Sequence, residues 1–96
     1  MGEIRGYIDT RQVFINGVEL SPKKSQEVIN HSPDGFNWGG YGGSGPAQLA
    51  LALVLHYTGK KDNYQEFKRL LISELPQGQD FEISEDEVKA ILERMG

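Results

Sequence analysis

Apolar positions change their spacing along this chain, and the change marks where strands give way to helices. The first apolar runs are short and β-prone. Val13-Phe14-Ile15 and Val18-Glu19-Leu20 flank Asn16-Gly17. Asn-Gly between two such runs predicts a two-residue hairpin, because both turn positions need positive φ. Ile4 to Ile8 reads as a preceding strand, joined through Asp9-Thr10-Arg11, so residues 3–20 are expected to form a three-stranded meander. Ser21-Pro22 can open a short helical turn, and Lys23 to Asn30 is weakly helical at best. Ser32-Pro33-Asp34-Gly35 fits a type I turn, Phe36-Asn37-Trp38 an extended segment, and Gly39 to Gly43 a loop.

Beyond that point the pattern is helical. Pro46 suits a first helical position and Gly59 a helix end, which predicts a helix over 46–57. Its apolar residues, Ala47 and Leu49 through Leu55, cover nearly every face, and a helix apolar all round is buried all round. A second helix is expected over 62–75, with Asp62 and Gln65 spaced as a capping box and Tyr64, Phe67, Leu70, Leu71 and Leu75 on its inner stripe. A third is expected over 84–95. Ser84 and Glu87 form its capping box, Ile83 and Val88 are spaced for a hydrophobic staple, and Val88, Ile91, Leu92 and Met95 repeat at helical intervals. Strands first and helices after indicate an α+β fold in one domain over 1–96. It is a small antiparallel β-meander followed by three helices packed on one face, with a buried central helix. An open edge strand also offers a route to a homodimer.

Composition narrows the function classes. The 96 residues carry a net charge of −4, which argues against nucleic acid as a partner, since that needs a basic surface. No apolar run approaches the ~20 residues needed to span a bilayer, and no signal peptide is legible, so a cytoplasmic protein without a membrane partner is expected. Cysteine is absent, which excludes disulfides and thiolate chemistry and suits a reducing interior.

The candidate chemistry lies in GFNWGGYGGSGPAQLALALVL, Gly35 to Leu55, where Trp38 and Tyr41 sit among six glycines before the central helix. Gly40 to Gly45 matches G-x-G-x-x-G formally, but the parallel βαβ unit of a dinucleotide site has no room in this chain. The spacing also suits a P-loop, except that Pro46 stands where the phosphate-binding Lys belongs. A nucleophile elbow fails at the same Pro46. His31 and His56 have no partners at metal-ligand spacing, so neither a metal nor another cofactor is expected. What remains is a helix start with free backbone donors, a place suited to a small anion. Gly43, Ser44, Gly45 and Ala47 would supply the loop and its amides, Trp38 and Tyr41 would stack on a flat ring, and Gln48 would read a polar edge. The alternative is that the glycines let the helix pack closely on the sheet, with Trp38 and Tyr41 in the core.

The string HSPDGFNWGGYGGSGPAQLALAL, His31 to Leu53, followed by Tyr64, Phe67 and Lys68, resembles a small family of uncharacterised proteins, a domain of unknown function seen in bacteria, archaea, phages and plasmids. The likeness covers about the whole chain. Gly40 departs from the family pattern as an extra glycine between Trp38-Gly39 and Tyr41. The resemblance carries no activity. Its spread among mobile elements implies an accessory role, such as countering host defence. The leading expectation is therefore a non-catalytic binding module for a small phosphorylated or nucleotide-like ligand. The rivals are a protein-interaction module anchored by Trp38 and Tyr41, and a small hydrolase using Ser44, His31 or Asp34.

Overall fold

The computed structural model of the chain describes residues 2–38 and 44–95. Strands β1 (Glu3–Tyr7), β2 (Gln12–Ile15) and β3 (Val18–Glu19) form the expected meander. Its second turn carries Asn16 at φ 53° and Gly17 at φ 81°, the two left-handed residues that an Asn-Gly hairpin requires. Four helices follow or interleave: α1 (Lys23–Val28), α2 (Ser44–Thr58), α3 (Tyr64–Leu70) and α4 (Glu85–Met95). The architecture is α+β, as the segregation of strands and helices indicates.

A fourth strand, β4 (Phe81–Ser84), was not expected. It pairs antiparallel with β1, giving the sheet order β3-β2-β1-β4. Its signal in the sequence is only four residues of alternating apolar and polar side chains, Phe81-Glu82-Ile83-Ser84, directly against a helix cap. The Asp80 carboxylate fixes the strand's approach by accepting the Ile8 amide at 2.8 Å.

Alternation gives the sheet one dry face and one open face. Ile4, Gly6, Val13, Ile15 and Phe81 point inward, while Arg5, Tyr7, Glu19 and Glu82 are exposed on the other side. Gly6 lies opposite Phe81, and a Cβ at Gly6 would overlap the Phe81 ring. The missing side chain thus makes room for an aromatic ring over the inner face. Helix α2 lies in the core, with every residue from Gly45 to Val54 buried. Gly59, at φ 74°, ends it by donating its amide to Leu55 O at 2.9 Å.

The second helix departs from expectation. It starts at Tyr64 after Asn63 in the left-handed region, with no side-chain cap, so the Asp62–Gln65 capping box does not form. It stops at Leu70, and Ile72–Glu74 continues as one 3-10 turn. In α4 the Ser84 hydroxyl accepts the Glu87 amide at 3.1 Å, the serine half of the expected box, and Val88 and Ile91 are buried. Among the described residues no helix is long and apolar enough to cross a membrane.

Candidate functional site

The start of α2 is built for close packing. The Trp38 ring is 1% exposed, and it meets Phe81 edge-on with centroids 4.9 Å apart. Its indole N–H donates to Gln79 O at 2.7 Å, so the ring's polar atom is satisfied inside the protein. The stacking role expected of Trp38 is therefore corrected: both its face and its N–H are used by the core. The same burial removes it as an exposed anchor for a protein partner.

Gly45 serves the same contact. A Cβ there would overlap the Asn37 side chain and stand 3.0 Å from the Asn37 backbone nitrogen. Glycine at this position lets Asn37 lie directly on the helix. Ala47 is buried as well. Tyr41 and Gly43 lie outside the described residues. Of the predicted site residues that are described, Ser44 alone is exposed.

Gln48 is fully buried, and its amide has a complete set of partners. Its Oε1 accepts the backbone amides of His31 at 2.8 Å and Ser32 at 2.9 Å. Its Nε2 donates to Ser25 Oγ at 2.8 Å and to Ile29 O at 3.1 Å. Two acceptor positions and two donors are all that a primary amide offers. The expected reading of a ligand's polar edge is corrected accordingly: Gln48 reads the protein's own backbone and clips α1 and residues 29–32 to α2.

Among the described residues, no bond links His31 or Asp34 to Ser44. His31 Nε2 pairs with the Tyr64 hydroxyl at 2.6 Å, and Asp34 is exposed in its turn. A serine hydrolase needs that imidazole nitrogen to face its serine. Among the described residues no three His, Cys, Asp or Glu side chains are grouped as metal ligands.

A different place on α2 is open. Where α1 crosses the helix's second half, beside the end of β3, lies a groove of about 400 Å³. Leu20, Ala52 and Leu55 form its apolar floor. Ser21, Lys24 and His56 stand at its rim, all exposed, and His56 packs edge-on to Tyr57 at 4.8 Å; Glu19 also lines the groove, but its carboxylate turns to the sheet's outer face, where it accepts from Gln12 Nε2 at 3.3 Å. Ser25, at the groove's inner end, donates to Pro22 O at 2.7 Å and accepts from Gln48. The Gln48 clip thus also fixes one wall of the groove.

A family model described as a family of unknown function, DUF6166, matches residues 4–94. The chain belongs to the DUF6166 family. That agrees with the expectation of a domain of unknown function, and the match runs from β1 into the end of α4. Neither a curated protein nor a solved structure matches the chain.

Three features of this DUF6166 chain escape a reading of the sequence. The groove is assembled from β3, α1 and α2, so no local motif announces it. Lys24 and His56 are 32 positions apart, and only the crossing of α1 over α2 brings them to one rim. The third is a polar knot beyond the groove, where the Tyr57 hydroxyl donates to Glu85 Oε2 at 2.8 Å and the Asn16 amide reaches the same oxygen at 3.5 Å. Partial burial, then this bond, raises the Tyr57 hydroxyl's pKa. The Tyr57 bond first, then Asn16 and the charges of Lys89 and His56, lower that of Glu85.

Proposed function

We propose that this chain is a non-catalytic binding module, and that its ligand is a small anion with an apolar or flat body held in the groove between α1 and α2. One observation carries the reading: a concavity of about 400 Å³ combines an apolar floor with a lysine at its rim. That volume falls in the range of small-molecule sites, which join apolar walls to a few polar groups. Lys24 supplies the cation for a phosphate or carboxylate, Ser21 a hydroxyl, and Leu20, Ala52 and Leu55 the surface for the ligand's body. A phosphorylated or nucleotide-like compound meets these demands. The start of α2 supports such a ligand less well, because Trp38, Ala47 and Gln48 are buried there.

A cytoplasmic setting and an accessory role in a mobile element belong to the same proposal. They rest on the cysteine-free composition and on the resemblance described above.

A titration of the ¹⁵N-labelled protein with AMP, ADP, cyclic nucleotides and pyrophosphate tests the site. At least one compound is expected to shift the amides of Leu20, Lys24, Ala52 and His56 saturably, with affinity reduced severalfold in Lys24→Gln. Silence at millimolar concentration, or shifts centred on Ser44 to Gln48, would overturn it.

A further inference from the structure

Among the described residues, nothing covers the face of the sheet turned away from the helices, and that face is chemically uneven. The residues on it are Glu3, Arg5 and Tyr7 of β1, Gln12 and Phe14 of β2, Glu19 of β3, and Glu82 and Ser84 of β4. Tyr7, 40% exposed, packs edge-on to Phe14 with centroids 5.7 Å apart, forming an aromatic platform in the open. Around the platform stand three carboxylates and one guanidinium. The guanidinium is Arg5, whose Nη2 lies 3.1 Å from Glu3 and 3.6 Å from Glu82.

One shallow depression lies on this face, and a second, at the end of the sheet, adjoins it through Glu3. One, of about 370 Å³, is lined by Glu3, Arg5, Tyr7, Phe14 and Gly17. The other, of about 680 Å³, continues past Glu3 and Glu82 to Asp86 at the start of α4. Glu3 lines both, so the aromatic platform runs into an acidic trough.

We propose that this sheet face docks a basic, arginine-bearing segment of a partner protein. Three features on the face select that occupant. Aromatic faces attract guanidinium groups, which are flat and weakly hydrated, more effectively than ammonium groups. Carboxylates beside the rings supply the complementary charge and steer approach. Arg5 shows that the surface accommodates a guanidinium between Glu3 and Glu82. A second copy of the chain fits less well, because its matching face carries the same acidic excess, Glu3, Glu19 and Glu82 against Arg5. Nucleic acid and anionic membranes meet the wrong sign of charge.

Arg5 gives the proposal a distinctive sign. It competes with an incoming arginine for Glu3 and Glu82, so Arg5→Gln tightens docking of a basic segment and weakens docking of any anion. The test uses the full chain, ¹⁵N-labelled, in 0.1 M salt. The probes are a twelve-residue peptide alternating Arg with Thr, and its Lys-for-Arg and Glu-for-Arg counterparts. The Arg peptide is expected to shift the amides of Arg5, Tyr7, Phe14 and Glu82 and to bind severalfold more tightly than the Lys peptide. The Glu peptide should do neither. Tyr7→Ser and Glu82→Gln should each raise its Kd at least threefold, and Arg5→Gln should lower it. Circular dichroism confirms the fold of each variant, and both Tyr7 and Glu82 are exposed, so a folding failure in one leaves the other informative. Arg-peptide shifts on the helical side, equal affinity for Arg and Lys peptides, or weaker binding in Arg5→Gln would overturn the proposal. So would a dimer in sedimentation that Tyr7→Ser dissolves.

Discussion

The side-chain oxygen of Gln48 stands 2.8 Å from the backbone nitrogen of His31, seventeen positions earlier in the chain. The amides of His31 and Ser32 and the carbonyl of Ile29 lie past the end of α1, outside any helix or strand. Burying such a segment without hydrogen bonds is costly. One glutamine on an otherwise apolar helix removes much of that cost by serving two amides and a carbonyl at once. This explains a polar residue in the midst of Ala47, Leu49 and Ala50 without calling on a ligand.

Gln48→Leu keeps the volume and strands those groups. It is expected to lower stability by about 2–4 kcal/mol, the range for leaving several buried groups unpaired. Urea denaturation gives the number. Hydrogen exchange gives the mechanism: the amides of His31 and Ser32 should lose protection before those of α4. Uniform loss across the chain would point to a general packing defect instead.

Trp38 is the only tryptophan in the chain, so its fluorescence reports one site. With its ring buried, the emission should be blue-shifted and acrylamide should quench it poorly. Trp38→Ala should cost about 3–5 kcal/mol, as for other large core aromatics. Trp38→Phe should cost less, since it retains the contact with Phe81 and loses the bond to Gln79 O. Emission typical of a ring in water would contradict the packing described.

How much of this was legible beforehand follows from the range of each signal. Asn16-Gly17, Gly59 and Ser84 act through local backbone chemistry, and each does what its residue type predicts. The all-round apolarity of α2 is likewise a local pattern, and it places the helix in the core. The roles of Trp38 and Gln48 were not legible, because each is decided by a distant partner: Gln79 for the first, Ser25 to Ser32 for the second. An aromatic residue and a glutamine beside a glycine run look alike whether they face a ligand or the protein's own backbone. Strand β4 was hidden for a related reason. Four alternating residues specify a strand only when β1 is there to pair with them.

Gly45→Ala offers a test in which two effects have opposite signs. In an exposed helix interior, replacing glycine by alanine stabilises by roughly 0.5–1 kcal/mol. Here the added methyl overlaps Asn37, and overpacking of this kind costs about 1–3 kcal/mol. The net result should be destabilising, read as a lower thermal midpoint. Gly59→Ala should also destabilise, but through its backbone: Gly59 is left-handed with open space around it. A stabilised Gly45→Ala would show that residues 36–38 do not lie against α2.

The Tyr57–Glu85 bond predicts an acid arm of the stability curve. The Glu85 carboxyl titrates below its ordinary range in the folded protein, chiefly because the Tyr57 hydroxyl donates to its charged form. The unfolded chain therefore takes up the proton first as pH falls. The stabilisation is complete above the unfolded glutamate value of about 4.3 and disappears as pH drops through the lower folded value. Glu85→Gln should thus melt below the parent protein at pH 7, and the gap should close in acid. Tyr57 gives the opposite arm. Its raised pKa makes a contribution that is complete below the unfolded tyrosine value of about 10 and is lost at higher pH. Tyr57→Phe should return the Glu85 carboxyl toward its ordinary value, which a ¹³C titration of the side chain reads directly. Melting curves for Glu85→Gln and the parent protein that stay parallel from pH 3 to 7 would show that the bond does not tie α2 to α4 in solution.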